Sequence, residues 1–189
     1  MMVISVRSFL ATLAALLLFT FSMGESALAE KKCEAAGFVK SAGEAYDRAA
    51  SAGSAAAFAS AAARFSDLRS ISLFALGRYR KDLPKAREAE YLRLTRQFIG
   101  ETLKSHGSGF RGTTLEITDC KTSGGNVVVS ARTSAGSKVI FRLAKRGGGY
   151  SVQDVNMKGV WLAQQMRSTF VGTINRTGSI DGLFDYLRG

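Results

Sequence analysis

The feature that most constrains this chain is a change of period near Thr114. Upstream of it, apolar residues recur every three or four positions; downstream they alternate in short runs separated by glycine-rich turns. Val127, Val129 and Ala131 share one face of a strand whose other face carries Val128, Ser130 and Arg132. Val139, Phe141 and Leu143 repeat the pattern against Lys138, Arg142 and Ala144, and 150–157 continues it through Val152 and Val155. The turns are Gly124-Gly125-Asn126, Ala135-Gly136-Ser137 and Gly147-Gly148-Gly149. Strands joined by turns this short pair antiparallel, because a parallel pair needs a long crossover. The resulting sheet has an apolar face that must be covered, and amphipathic helices are the available cover. The expected class is therefore α+β: a curved antiparallel sheet of about four strands, covered on one face by helices, with the N-terminal half mostly helical.

The helical half has its own punctuation. The segment 34–63 is rich in alanine, with Ser54 placed to cap a stripe of Phe58, Ala61, Ala62, Phe65 and Leu68. Ser70 or Ser72 is expected to cap a short apolar helix over 73–80. Asp82 and Pro84 mark a new start, and Tyr91, Leu92, Leu94, Thr95, Phe98, Ile99, Thr102 and Leu103 then form a broad stripe ending by Gly107. After the sheet, Leu162, Met166, Phe170 and Ile174 return to helical spacing, and Ser179 or Asp181 is expected to cap a last short helix.

The first residues read as an address. Arg7 precedes a thirteen-residue stretch from Phe9 to Phe21 that is apolar except for Thr12 and Thr20, and Ala27-Leu28-Ala29 follows. A basic start, a short apolar run and an A-x-A ending are the parts of a secretory signal peptide, and the run is well short of the ~20 residues that cross a bilayer. Residues 1–29 are expected to be cleaved, leaving one exported domain over 30–189. In an oxidising compartment the only two cysteines, Cys33 and Cys120, either form a disulfide or stay as two free thiols.

The chemistry-bearing residue types are sparse. There is one histidine, His106, beside glycines at a helix end, and there is no phosphate-cradling loop and no nucleophile elbow. No metal site and no cofactor are expected. Asp154 alone interrupts an apolar strand; it either satisfies backbone amides where the strand bends or serves as the acid–base group of an enzyme acting on an apolar ligand. The net charge is +11, and 64–111 holds eleven Lys/Arg against five Asp/Glu. No nucleic-acid signature accompanies that charge, so anionic headgroups or acidic docking partners fit it better.

Several segments, in order, resemble the MlaC family of periplasmic phospholipid-binding proteins, also called the toluene-tolerance family. Ala75-Leu76-Gly77-Arg78-Tyr79-Arg80 is similar to that family's Leu-Gly-x-aromatic helix, and Glu90-Tyr91-Leu92 with Phe98-Ile99 to the long helix after it. The run 150–160, with Tyr150, Asp154 and Gly159-Val160, resembles the strand-to-helix passage; Arg167-Ser168-Thr169-Phe170 and Gly178-Ser179-Ile180-Asp181-Gly182-Leu183 resemble the closing pattern. Two features depart from it. Ser105-His106-Gly107-Ser108-Gly109-Phe110 is looser than the family's Tyr- and Phe-rich approach to the sheet, and the hairpins are short.

The resemblance implies a non-enzymatic, monomeric periplasmic carrier whose interior is a cavity for phospholipid acyl chains; related proteins are associated with hopanoids. It also implies shuttling between an outer-membrane lipoprotein complex and an inner-membrane ABC transporter complex with a lipid-binding domain, in a system that maintains outer-membrane asymmetry. The residues expected to line the cavity are Phe74, Leu76, Tyr79, Leu94, Phe98 and Leu103 from the helical half. The sheet adds Val127, Val129, Val139, Phe141, Leu143, Val152 and Val155, and the closing helix Trp161, Leu162, Met166 and Phe170. Arg78 and Arg80, beside Tyr79, are expected at the mouth, where a guanidinium can meet a phosphate.

Overall fold

Small residues bring the first helix down onto the sheet. Helix α1 (Ala36–Ala52) buries Ala36, Val39, Ala42, Ala49 and Ala50 along one face and ends at Gly53, whose left-handed backbone lets its N–H reach Ala49 O and Ala50 O. At Gly43 a Cβ would stand 2.9 Å from Leu115 Cδ1, so a larger residue here would have to displace the Leu115 side chain between this helix and the first strand. The computed structural model describes residues 33–189; the expected signal peptide, 1–29, lies outside the described residues.

Helix α2 (Ala55–Phe65) starts where Ser54 Oγ accepts the Ala57 N–H at 3.2 Å, as its position suggested. Helix α3 (Leu68–Ala75) starts earlier than the serine-capped segment expected over 73–80. Asp67 takes the cap instead, accepting from the Ser70 amide at 3.0 Å and hydroxyl at 2.7 Å, and these bonds hold its carboxyl below the usual range. Gly77, at φ 55°, then turns the chain into a 3₁₀ segment, Gly77–Asp82. A second 3₁₀ turn, Lys85–Arg87, follows Pro84 and leads into helix α4 (Glu88–Ser105), with Glu88 and Glu90 at its positive end. Where α4 meets α2, a Cβ at Gly100 would collide with the Ala55 carbonyl oxygen, so the glycine permits the contact.

The sheet is an antiparallel meander of β1 (Leu115–Ser123), β2 (Asn126–Thr133), β3 (Lys138–Arg146), β4 (Gly149–Met157) and β5 (Val160–Trp161), in that spatial order. Alternation had suggested about four strands; β5 has two residues, too few to show a period. The register sets Val127 against Leu143, Val129 against Phe141 and Ala131 against Val139, so the inward positions form continuous apolar rows. Irregularities between Ile117 and Asp119, and at Gln153 opposite the Arg142–Leu143 step, bend the sheet. Helices α5 (Leu162–Thr177) and α6 (Ile180–Arg188) close the chain, the latter with Ser179 Oγ accepting from Gly182 N–H.

Two cores result. The first lies between the sheet's inner face and α1 and α2, and includes Val39, Phe58, Phe65, Ile117, Val129, Phe141 and Leu143. The second is made by helices α3 to α6 through Leu73, Leu76, Tyr91, Leu94, Phe170, Phe184 and others. In it the buried Tyr91 hydroxyl donates to Ser72 O at 2.6 Å, tying α4 to α3.

Cys33 and Cys120 form a disulfide that closes an 87-residue separation and fixes the start of α1 to β1. Loop closure of this length carries about 4–5 kcal/mol in the chain-entropy account. The Cys33→Ser/Cys120→Ser double variant is expected to lose about 2–5 kcal/mol of stability, read as a lowered urea midpoint.

Candidate functional site

At the end of α1 remote from the disulfide, packing between helix and sheet is incomplete. A cavity of about 80 Å³ lies there, open in part to solvent. Its sheet wall is Val139, Phe141, Val155 and Met157, with Leu115 and Thr133 at the margin. The helical wall is Gly43 and Tyr46 of α1 with Leu103 of α4, and Leu162 closes one side. The segment that joins α4 to β1 covers it with Gly109, Phe110 and Thr113.

Almost everything facing this space is apolar. Tyr46 stacks on Phe110 with ring centroids 5.6 Å apart and on Phe58 at 6.4 Å, and Phe58 and Phe110 are 5.7 Å apart. Burial pushes the Tyr46 hydroxyl up to about 12, so it stays neutral at any physiological pH. Such a surface can hold an alkyl chain and has no means of activating a bond in one. Its volume is the point at which the structure departs from a roomy interior. Ligand pockets for drug-sized molecules span roughly 300–1,000 Å³, and the rest of this core is filled by its own side chains because the alanine face of α1 lies so close to the sheet.

Of the residues expected to line a cavity, Leu103, Val139, Phe141, Val155 and Leu162 do so here. Val127, Val129, Leu143 and Val152 belong to the same core but lie within its packed part. The helical candidates divide differently. Leu76, Leu94, Met166 and Phe170 are buried in the second core, with Tyr79 and Phe98 packed against it, because the α3 and α4 stripes face α5 and α6. Phe74 and Trp161 also lie away from the cavity: Arg167 sits over the Phe74 ring and Arg142 over the Trp161 ring, 3.7 Å from its centroid.

Arg78 and Arg80 are likewise not at this mouth. Arg78 Nη2 donates to Asn175 Oδ1 at 2.9 Å and to the Tyr79 hydroxyl at 3.0 Å, and that hydroxyl donates to the same Asn175 oxygen at 2.5 Å. The cluster joins the 3₁₀ segment to α5, and Arg80 is exposed beside it.

Among the apolar and glycine wall residues that periodicity did not bring forward are Gly43, Tyr46 and Phe110, while Leu115 lay on an alternating run but was not assigned to the cavity. Tyr46 lies in an alanine-rich stretch and Phe110 in a glycine-rich loop, and neither context carries a periodic signal. The alternation of the last strand did extend to Met157.

Asp154 has a structural task. Its Oδ1 accepts the N–H of Val155 and of Ala163, both at 2.8 Å. Ala163 is in the first turn of α5, whose own N-cap, Trp161, has no side-chain acceptor; Asp154 supplies the missing partner and a negative charge at the helix's positive end. The aspartate is 8% exposed. A second hollow of about 220 Å³ lies beside it on the sheet's other face, among Ser70, Ile71, Phe74, Arg142, Gln153 and Gln164. Its wall sets the charged Arg142 and Asp154 beside the apolar Ile71, Phe74 and Ala163, whereas no charged side chain lines the cavity under Phe110. Among the described residues no group of three or more His, Cys, Asp or Glu is placed to hold a metal ion, and no helix is long and apolar enough to cross a membrane.

Comparison with known proteins bears on fold and family. The family model described as MlaC protein matches residues 41–189. A solved structure of the phospholipid-binding protein from Ralstonia solanacearum, in complex with a phospholipid, is similar with a TM-score of 0.69 at 18% sequence identity; the match covers 80% of this chain and 93% of that one. At that identity the likeness is one of fold. No curated protein matches the chain.

Replacing Asp154 by Ala is expected to destabilise the protein by about 1–3 kcal/mol, since one buried and one half-buried amide lose their acceptor. Urea unfolding measures this; unchanged stability would remove the capping role.

Proposed function

This chain belongs to the MlaC family, and on that premise we propose that it is a non-enzymatic carrier of phospholipid, holding acyl chains between the sheet's inner face and α1. The observation that carries the reading is the apolar cavity, which opens to solvent where these two layers part. The similar fold of a protein solved with a phospholipid bound supports the cargo class. Val139, Phe141, Val155, Met157, Leu103 and Leu162 are the residues assigned to the chains, and Val127, Val129, Leu143 and Val152 extend the same apolar face inward.

The physics of a carrier is a competition with the bilayer. Each buried methylene contributes ~0.8 kcal/mol, so a two-chain lipid released into water loses on the order of tens of kcal/mol. A carrier needs no covalent step and few polar contacts. It needs an apolar interior and a docking step in which the tails never meet water. In this reading residues 1–29 are a signal peptide, 30–189 form one domain, and the protein is a periplasmic monomer that shuttles lipid between an outer-membrane lipoprotein complex and an inner-membrane ABC transporter complex. The engagement of Asp154 as a cap argues against acid–base chemistry through it.

Lipid extraction and native mass spectrometry of protein purified from the periplasm test the cargo. A phospholipid at up to one equivalent is expected; a polycyclic hopanoid in its place would overturn the cargo class, and an empty protein that accepts no lipid from vesicles would overturn the carrier. Leu162 is 38% exposed at the first position of α5 and also on the cavity wall. Glutamate is favourable in a helix's first turn, so Leu162→Glu is expected to leave the melting temperature within a few degrees while reducing bound lipid severalfold.

A further inference from the structure

Helix α1 is fastened at both ends, and the two fastenings differ in kind. At its start stand the disulfide and Glu34, whose Oε2 accepts from Lys145 Nζ and from the Tyr150 hydroxyl, each at 3.3 Å. Near its end two hydrogen bonds hold the segment 106–113. Gly112 N–H donates to Asp47 Oδ1 at 2.7 Å, and Arg111 Nη2 donates to Ala50 O at 3.1 Å.

That segment is held together mainly by its own hydrogen bonds. Its internal hydrogen bonds are local: Gly109 N–H to His106 O, Phe110 N–H to Gly107 O, Thr113 N–H to Phe110 O and Thr113 Oγ1 to Gly109 O. Gly112 sits at φ 65°, a left-handed position that suits glycine, and nothing lies within 4 Å of where a Cβ would be on Gly109 or Gly112. Beyond Thr113 the chain is held by the reciprocal bonds of Thr114 and Ser134. The one large apolar side chain of the segment, Phe110, packs against both Tyr46 and Phe58 at the cavity.

We propose that 106–113 is a strap that closes the lipid cavity, with Phe110 as its plug and the Asp47–Gly112 hydrogen bond as its latch. This rests on the carrier reading. The cavity at about 80 Å³ is too small for an acyl chain, and Phe110 occupies space that a chain would take. Lifting the strap removes that ring from the wall and frees the end of α1 that has no covalent tie to the sheet. The latch thus sets how often the empty protein is competent to load: a closed population lowers apparent affinity by the competent fraction.

The test is uptake by lipid-free protein from vesicles of phosphatidylethanolamine and phosphatidylglycerol that contain a trace of phospholipid with a fluorescent acyl chain. Asp47→Ala is expected to load roughly tenfold faster than wild type, the factor carried by loss of one hydrogen bond to a charged group. Phe110→Ala should also load faster. Glu44→Ala, on the same helix and paired with Arg48, should load at the wild-type rate. Hydrogen exchange at the Gly112 amide, read without lipid, should accelerate in Asp47→Ala and not in Glu44→Ala; this holds the proposal to account even if Phe110→Ala fails to fold. Wild-type loading rates in Asp47→Ala, with exchange accelerated, would overturn the strap and leave the carrier reading standing. A wild-type protein that takes up no labelled lipid would overturn both.

Discussion

The contact between the alanine face of α1 and the inner face of the sheet governs the rest of this structure. Ala36, Ala42, Ala49 and Ala50 present almost no side chain, so the helix comes down close to β1 and shares one core with the apolar rows of β2 and β3. Close approach gives dense packing, and dense packing leaves little room for cargo. Among the described residues, the space between α1 and the sheet is filled where α1 is pinned by the disulfide and opens into an apolar cavity toward the opposite end, under Phe110. In the proposed carrier, stability and capacity therefore share one interface, and a lipid chain would enter by replacing contacts that the empty protein makes with itself.

The second core serves a different purpose. Helices α3 to α6 bury their stripes on one another, and their contacts are reinforced by Tyr91 to Ser72 and by the ion pairs that join Arg188 to Glu90 and Arg87 to Asp181. Those pairs are exposed and each adds little alone; they fix the orientation of α6 on α4, while burial supplies most of the energy. With that half of the molecule closed on itself, the α4 end and the loop after it give the cavity a fixed rim at Leu103 and a movable cover at Phe110. Asp154 joins the halves through side-chain to backbone hydrogen bonds, since a strand residue caps α5, one of the helices of the second core.

Local features of the sequence carried far into the structure. Ser54 and Ser179 cap the helices their positions announce, the glycine turns separate the strands, and alternation assigns Val129, Phe141 and Leu143 to the buried face without error. Where a local competitor was present the reading slipped: Asp67 is as good a cap as Ser70, and once the helix starts at Leu68 Ser70 falls inside its first turn and donates to Asp67. The candidate site was less legible. Five of its wall residues were visible as apolar positions on periodic elements. Tyr46, Phe110 and Gly43 were not, since one aromatic among alanines, one among glycines and a bare glycine form no stripe.

The sequence by itself determined the class of the fold, the order of its elements and which side of each strand is greasy, because these follow from periods and punctuation within a few residues. Tertiary structure alone decided which greasy surfaces meet. A stripe states a direction about its own axis and names no partner, so Leu76, Leu94 and Phe170 read the same whether they line a cavity or fill a helical core. That choice is settled by shape: alanine lets α1 reach the sheet, while the bulky stripes of α3 to α6 fit one another, and the gap left between these solutions is where the site lies.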